Sequence, residues 1–411
     1  MRPTVAAPII AIAATLAVTP AVLAADPLPP AEQRAPNGSD QRPAFSGQTR
    51  APQSPDQPTV RAQIVAEGMP QLWAMEFLPD GRMLVTAKRG SMHIIDQDGT
   101  VGPALEGVPE VDARRQGGLL DVALAPDFAD SGTIVFSYSE PRGNGRNGTS
   151  VARANLNVDG SGAGALSDVD VIFRQTPDYA GTMHYGSRLA FAPDGTLFIT
   201  TGERSDRRVC GQAQDLSSGL GKVFRINLDG SIPSDNPFVG QSGAQPAIWS
   251  YGHRNPQSAI VSSDGDLWTV SHGPRGGDEL NRPQAGRNYG WPVITYGIEY
   301  RGSAVGDGIT QRGGMEQPIY YWDPVIAPSG MAEYRGSEIP EWDGAFLVGG
   351  LVSQGIVVLH LEDGRVAFED RVPLGSRTRD VRVGPDGAVY AVTDQRGGTS
   401  AIVRLSSASS G

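Results

Sequence analysis

Short apolar runs recur along the chain, and six of them follow a turn tag of the type Pro-Asp-Gly. One tag, Pro193-Asp194-Gly195, lies between Leu189-Ala190-Phe191-Ala192 and Leu197-Phe198-Ile199-Thr200. Pro presets the entry to a tight turn and Gly tolerates a positive φ, so each tag predicts a β-hairpin. The other tags are Pro79-Asp80-Gly81, Pro126-Asp127-Phe128, Ser263-Asp264-Gly265, Trp342-Asp343-Gly344 and Pro385-Asp386-Gly387.

The tags recur at unequal intervals, each long enough for four short strands, while amphipathic helical patterns are nearly absent. Recurrence on this scale is typical of repeat proteins. We therefore predict an all-β fold, a six-bladed β-propeller with four-stranded antiparallel blades around a central axis. A larger β-sandwich array is the weaker alternative. Closure of such a ring would gather loops from every blade into one central site.

The N-terminus has a different pattern. Arg2 precedes an apolar stretch from Val5 to Leu23 that ends in small residues, which predicts a secretory signal peptide over residues 1–24. A membrane anchor is the alternative, but Pro8 and Pro20 interrupt the stretch. We therefore expect a periplasmic or secreted protein with no membrane span in the mature chain.

Composition separates the next segment from the fold. Residues 25–60 are rich in Pro, Gln, Ser and Ala and predict a disordered linker, so the propeller is expected over residues 61–408. The 411-residue chain is 39% hydrophobic and can bury a large core. Its net charge of −11 argues against a nucleic-acid partner. Cys210 is the single cysteine, so no internal disulfide can form.

Candidate chemistry lies in loops outside the repeated tags. His184 can accept a proton near neutral pH, and arginines can pair with carboxylates. Gly273-Pro274 can present backbone carbonyl oxygens, which suit Ca²⁺. These groups indicate a calcium-compatible pocket for a small polyanion, containing one base. Each residue alone also fits a structural role. The further candidates are Gln116, Arg254, Asn255, Arg377 and Arg379.

Two other chemistries lack their motifs. The five His residues form no His-x-x-x-His pair and have no Cys partner with zinc-site spacing. No Gly-x-Ser-x-Gly elbow is present to support a Ser-His-Asp hydrolase.

Taken together, the motifs resemble those of the soluble aldose sugar dehydrogenases that use pyrroloquinoline quinone (PQQ), the glucose/sorbosone dehydrogenase-like quinoproteins. The resemblance runs from about Ala62 to Leu405. The stretches that carry it are Gln116-Gly117-Gly118-Leu119-Leu120-Asp121-Val122, Ile248-Trp249-Ser250-Tyr251-Gly252, Arg254-Asn255-Pro256-Gln257, His272 through Glu279, Asn288-Tyr289-Gly290-Trp291-Pro292 and Arg379-Asp380-Val381-Arg382.

This resemblance implies a PQQ-dependent enzyme that oxidises aldoses to lactones and passes electrons to an external acceptor. His184 would be the general base, and the carbonyls of Gly273 and Pro274 would hold a Ca²⁺ that polarises the quinone. Arg254 would act at the reacting carbonyl. The residues implied in cofactor binding are Gln116, His184, Arg254, Asn255, Asp278, Arg377 and Arg379.

One position departs from the family pattern. Val352 stands where members often carry a Lys that reaches the quinone. The change implies weaker cofactor binding, or transfer of this role to an arginine of another blade. It also keeps open a non-catalytic propeller that binds a ligand. A calcium-dependent lactonase on the same architecture is the last alternative, because such a site needs several converging carboxylate and Asn side chains.

Overall fold

A computed structural model describes residues 28–395 and 398–408. Six four-stranded antiparallel sheets make up the fold and form the blades of a ring. The prediction of a six-bladed β-propeller is therefore confirmed. The predicted signal peptide, residues 1–24, lies outside the described residues.

The strands follow one another blade by blade, except that the first strand, β1 (Val60–Met69), belongs to the last blade. Blades 1 to 3 contain β2 (Leu72–Phe77), β3 (Met83–Ala87), β4 (Ser91–Ile95) and β5 (Val101–Ala104); β6 (Leu119–Leu124), β7 (Thr133–Pro141), β8 (Asn147–Val158) and β9 (Gly164–Arg174); and β10 (Leu189–Phe191), β11 (Leu197–Thr200), β12 (Lys222–Ile226) and β13 (Ile248–Tyr251).

Blade 4 contains β14 (Pro256–Val261), β15 (Leu267–Ser271), β16 (Asp278–Asn281) and β17 (Tyr320–Trp322). Blade 5 contains β18 (Pro328–Glu333), β19 (Phe346–Gly350), β20 (Gly355–Glu362) and β21 (Arg365–Pro373). Blade 6 contains β22 (Thr378–Val383), β23 (Val389–Thr393) and β24 (Ser400–Ser407), together with β1. The helical elements are short: α1 (Phe128–Ser131) and 3₁₀ turns at Cys210–Gln214 and Pro340–Trp342.

Every Asp-centred tag joins the first strand of its blade to the second. In blade 1, Gly81 has a φ of 83° and donates its N–H to the Leu78 carbonyl at 2.9 Å. In blade 3, Gly195 has a φ of 81° and bonds to Ala192 in the same way. These are the tight, left-handed turns that the tags predict.

The first strands of the blades form the inner wall of the ring. Each contacts the first strand of the next blade, and β22 contacts β2, so the circle is complete. Blade 6 is closed by pairing between the chain's ends, since β1 lies antiparallel to β24 from Val60–Ser407 to Met69–Ser400. This pairing supplies the outer strand of blade 6 and ties the first strand of the fold to the last.

Between neighbouring blades lie six apolar clusters. The one between blades 1 and 2 contains Leu84, Ile94 and Phe136, each at most 1% exposed. The one between blades 4 and 5 contains Trp268 and Phe346, whose rings meet edge to face at 5.0 Å. Burial of apolar surface therefore holds each blade to the next.

A buried charge network crosses the inner wall. Arg188 lies 3.0 Å from a carboxylate oxygen of Asp121 and 3.0 Å from one of Asp380. Its guanidinium also stacks over Trp73, 4.2 Å from the ring centre. Arg382 adds a second cation, 3.0 Å from Asp380. Ion pairs thus link blades 2, 3 and 6 at the axis, and the Trp73 ring adds a contact from blade 1.

The expectation of a disordered linker is wrong for its described part. Residues 28–59, here called the N-terminal arm, pack along blades 4 and 5. The Gln48 side chain is fully buried and donates to the Pro318 carbonyl at 2.9 Å, and the Ala51 N–H donates to Tyr320 at 2.8 Å. Asp323 accepts the Gly38 N–H at 2.8 Å. Composition argued for disorder because the arm has few apolar side chains, but the blades satisfy its polar backbone groups.

Candidate active site

A central cavity of about 550 Å³ lies at one mouth of the ring. Its wall comes from the beginnings of the inner strands and from loops that follow the second strands, so the tag hairpins lie at the opposite mouth. The polar and charged side chains that line it are Gln71, Lys88, Arg115, Gln116, Asn255, Gln257, His272, Arg377, Arg379 and Asp394.

His184 lies in the loop before β10, between the cavity-lining residues Met183 and Tyr185. Its Nδ1 is 2.6 Å from Oε1 of Glu203, and its backbone N–H donates to Oε1 of Gln116 at 2.7 Å. The φ of His184 is 50°, a left-handed conformation that is unfavourable for a side chain with a Cβ. The two hydrogen bonds hold the imidazole in this orientation.

The pairing with Glu203 defines the protonation of His184. A carboxylate at Nδ1 accepts the proton of that nitrogen, which leaves the Nε2 lone pair free to take up a proton. Burial and the nearby Arg254 lower the pKa of His184, while Glu203 opposes that shift. The imidazole is therefore neutral near pH 7 and can act as a base.

Arg254 and Asn255 lie directly before β14. The Arg254 guanidinium donates from Nη1 to the carbonyls of His272 and Gly273 at 3.0 and 2.8 Å, and its Nε has no hydrogen-bond partner among the described residues. Oδ1 of Asn255 accepts the Gly186 N–H at 3.1 Å, which fixes the loop that carries the base. Arg254 is 7% exposed, so this cation can act in a largely water-free place.

Arg377 and Arg379 share one buried carboxylate, Asp394. Arg379 approaches Oδ2 of Asp394 at 2.7 Å and Arg377 at 3.5 Å, while Gln71 donates to Oδ1 at 2.6 Å. Although burial alone would raise it, the pKa of Asp394 is lowered to about 2 by Arg379 and these hydrogen bonds. One carboxylate thus fixes two cations that still line the cavity, which suits an anionic ligand.

The Gly273-Pro274 turn has oxygen donors that fit Ca²⁺. A Cβ on Gly273 would lie 2.2 Å from the Gly276 carbonyl oxygen, so only glycine permits this close packing of backbone carbonyls. The Pro274 carbonyl receives no hydrogen bond from the described residues. Carbonyl oxygens of this type are common Ca²⁺ ligands. The described ranges hold no group of three or more His, Cys, Asp or Glu side chains placed to bind a metal.

Asp278 stands behind this turn and does not belong to the cavity wall. Its carboxylate accepts the backbone N–H groups of Gly273, Ile326 and Ala327, all at 2.8 Å. Burial raises the pKa of Asp278 to about 7. Its placement is that of a brace for the turn, whereas the sequence predicts contact with the cofactor.

The structure brings most of the predicted residues together. Gln116, Asn255, Arg377 and Arg379 line the central cavity, and His184 is bonded to its wall. Arg254 and Pro274 line a second cavity, of about 610 Å³, together with Glu203. Val352, at 47% exposure, also lines the central cavity.

Sequence reasoning missed Glu203, Asp394 and Lys88. Glu203 and Asp394 each follow the second strand of a blade, and Lys88 holds the equivalent place in blade 1. That shared position is the signal that could have found them, because antiparallel strands bring it beside the beginnings of the inner strands. A further finding is that none of the described helices is long and apolar enough to cross a membrane.

Comparisons with known proteins agree with this fold and identify the family of the chain. The family model for "Glucose / Sorbosone dehydrogenase" matches residues 69–404. The aldose sugar dehydrogenase YliI of Escherichia coli (strain K12) is 42% identical over 345 residues, covering 83% of this chain and 91% of that protein. The crystal structure of the soluble aldose sugar dehydrogenase from Escherichia coli in the apo-form is 41% identical with a TM-score of 0.80, covering 85% and 100% of the two chains.

A solved structure of a relative contains the cofactor. The PQQ-bound form of an aldose sugar dehydrogenase from Streptomyces coelicolor is 28% identical, with a TM-score of 0.70 and coverage of 86% of this chain and 99% of that one. The chain belongs to the glucose/sorbosone dehydrogenase family of propeller quinoproteins. The predicted family and the predicted class, a sugar dehydrogenase, are confirmed.

Proposed function

We propose that the protein is an exported PQQ-dependent dehydrogenase that oxidises aldose sugars at the anomeric carbon to lactones. The observation that carries this proposal is the buried His184–Glu203 pair, 2.6 Å apart, beside a cavity with an excess of cations. A neutral base and an anion-binding wall are the two features that such a reaction requires of the protein.

In this mechanism the chain positions the sugar and moves one proton. Nε2 of His184 takes the proton from the anomeric hydroxyl, and the Glu203 carboxylate stabilises the imidazolium that forms. Arg254 supplies a fixed positive charge where negative charge develops. When bound, PQQ would supply the hydride acceptor and Ca²⁺ a Lewis acid, and the electrons would pass on to an external acceptor.

The residues that would hold the cofactor follow from the cavity wall. Arg377 and Arg379, fixed by Asp394, would pair with carboxylates, and Gln116 and Asn255 would add neutral hydrogen bonds. The carbonyls of Gly273 and Pro274 would bind Ca²⁺. Asp278 would act through the turn that it braces.

Reconstitution tests the function. Purified protein with added PQQ and Ca²⁺ should reduce a dye in a sugar-dependent manner, with a lactone as product. In His184→Ala, turnover should fall by at least about 100-fold while PQQ binding persists, because a general base contributes a factor on that order or more. PQQ binding without turnover on any aldose would instead indicate a non-catalytic binding module.

Export is a separate part of the proposal. It rests on the signal-peptide pattern of residues 1–24. Mass spectrometry of the mature protein from an expressing bacterium should find an N-terminus near Ala25 in the periplasmic or extracellular fraction. An intact N-terminus in the cytoplasm would contradict export and leave the catalytic proposal unaffected.

A further inference from the structure

Lys88 brings an additional cation to the central cavity. It follows β3, and its backbone is fixed on both sides, because its N–H donates to Gln71 at 2.8 Å and its carbonyl accepts the Leu119 N–H at 3.1 Å. The ammonium lines the cavity and donates to the Arg115 carbonyl. The lysine is therefore built into the wall at the junction of blades 1 and 2.

This cation has no carboxylate partner among the described residues. Every salt bridge there involves an arginine or a histidine. Asp394 is the carboxylate that lines the same cavity, and it is already hydrogen-bonded to Arg377, Arg379 and Gln71. Burial and the positive charge of Arg379 lower the pKa of Lys88, and the negative charge of Asp394 opposes this shift without cancelling it. An anion received by the cavity from outside would therefore stabilise this partly buried ammonium.

The charge balance of the wall indicates the same ligand chemistry. Its charged side chains are four cations, Lys88, Arg115, Arg377 and Arg379, and one carboxylate, Asp394. A neutral sugar would leave this excess uncompensated, whereas a ligand with several carboxylates would match it.

We propose that Lys88 is a cofactor-binding residue whose ammonium pairs with a carboxylate of PQQ. This inference rests on the proposed function, because it takes PQQ, a tricarboxylate, as the occupant of the cavity. It places a binding cation in blade 1, whereas the residues predicted from the sequence to bind carboxylates, Arg377 and Arg379, both belong to blade 6.

The test measures PQQ affinity directly, by titration with saturating Ca²⁺ at low ionic strength and without sugar or dye. Lys88→Met should raise the Kd about tenfold, which is about 1.4 kcal/mol, because one charge-assisted hydrogen bond is lost. Lys88→Arg keeps the charge and should stay within about threefold of the wild type. Arg89→Met is the matched control, since Arg89 is the exposed neighbour outside the cavity wall, and should leave the Kd unchanged.

The salt dependence is a second readout. If an ion pair is lost, the Kd of Lys88→Met should rise less steeply with salt than that of the wild type. Lys88→Gln, chosen if the Met variant melts early in its apo form, should behave in the same way. Equal Kd values and equal salt slopes for wild type and variants would overturn the role of Lys88 and leave the proposed function standing. Failure of the wild type itself to bind PQQ would refute both.

Discussion

Asp394→Asn tests whether the Asp394 carboxylate holds Arg377 and Arg379 in place at the wall of the central cavity. Asp394 is 1% exposed and lies 2.7 Å from Arg379, whose side chain is 13% exposed. The substitution keeps the shape but removes the charge, so Arg379 loses its counter-ion in a place that water reaches poorly. We expect the free energy of unfolding at pH 7 to fall.

The magnitude follows from the lowered pKa. The usual Asp pKa is 3.8 and that of Asp394 is about 2, so ionisation favours the folded state by about 2 kcal/mol at 1.36 kcal/mol per pH unit. That contribution is fully present above pH 3.8 and is lost as the pH falls through 2. The difference between wild type and variant should therefore shrink to roughly half by pH 3.

Thermal and urea unfolding from pH 7 to pH 3 provide the assay. At pH 7 the melting temperature should fall by about 3 °C for a chain of this length. Asp386→Asn is the control, because Asp386 pairs with Arg404 at 2.8 Å but is 38% exposed, and its loss should cost less than about 1 kcal/mol. A variant as stable as the wild type at pH 7, or a difference that does not depend on pH, would refute the reasoning.

Three further predictions concern the base, the inner wall and the calcium turn. In Glu203→Gln, kcat should fall about 100-fold. The acid limb of the kcat/KM profile should also move to lower pH, because the carboxylate that raises the His184 pKa is gone. An acid limb at the wild-type pH would contradict this prediction. Arg188→Met removes one of the two cations beside the buried Asp121 and Asp380 carboxylates and should cost about 3 kcal/mol in chemical denaturation, with wild-type stability as the contrary result. Gly273→Ala places a Cβ 2.2 Å from a backbone oxygen and should weaken Ca²⁺ binding, measured by calorimetry, at least about tenfold. Gly313→Ala is the control and should leave Ca²⁺ binding unchanged, because its Cβ meets no atom within 4 Å.

Short sequence patterns, the turn tags and their flanking apolar runs, were sufficient to predict the blades. A tag such as Pro193-Asp194-Gly195 determines its hairpin through the residues of the turn itself, and β10 and β11 flank it as the apolar runs predict. The loops before the inner strands could also be found, because His184 and Asn255 stand out as polar residues directly before apolar runs. Both kinds of signal act over only a few residues.

The remaining features depend on contacts between distant parts of the chain. Gln71 reaches Asp394 across 323 positions only because the ring closes. The burial of Gln48 likewise depends on blade 4, and nothing in the arm's own composition indicates it. Asp278 is a further case, since its motif predicts a ligand contact, whereas its observed partners are three backbone N–H groups, two of which come from a distant part of the chain.

The pairing of β1 with β24 has a consequence for biosynthesis. Cations from both sides of the ring's closure meet in one cavity, with Lys88 from blade 1 and Arg379 from blade 6. During translation, Lys88 emerges early, but its neighbours in blade 6 are held in place only after β24 has joined β1. Partial chains that contain five finished blades would thus have neither the anion site nor a closed ring. The ability to bind a cofactor should appear abruptly with the last strand, so it can serve as a report of complete synthesis and folding.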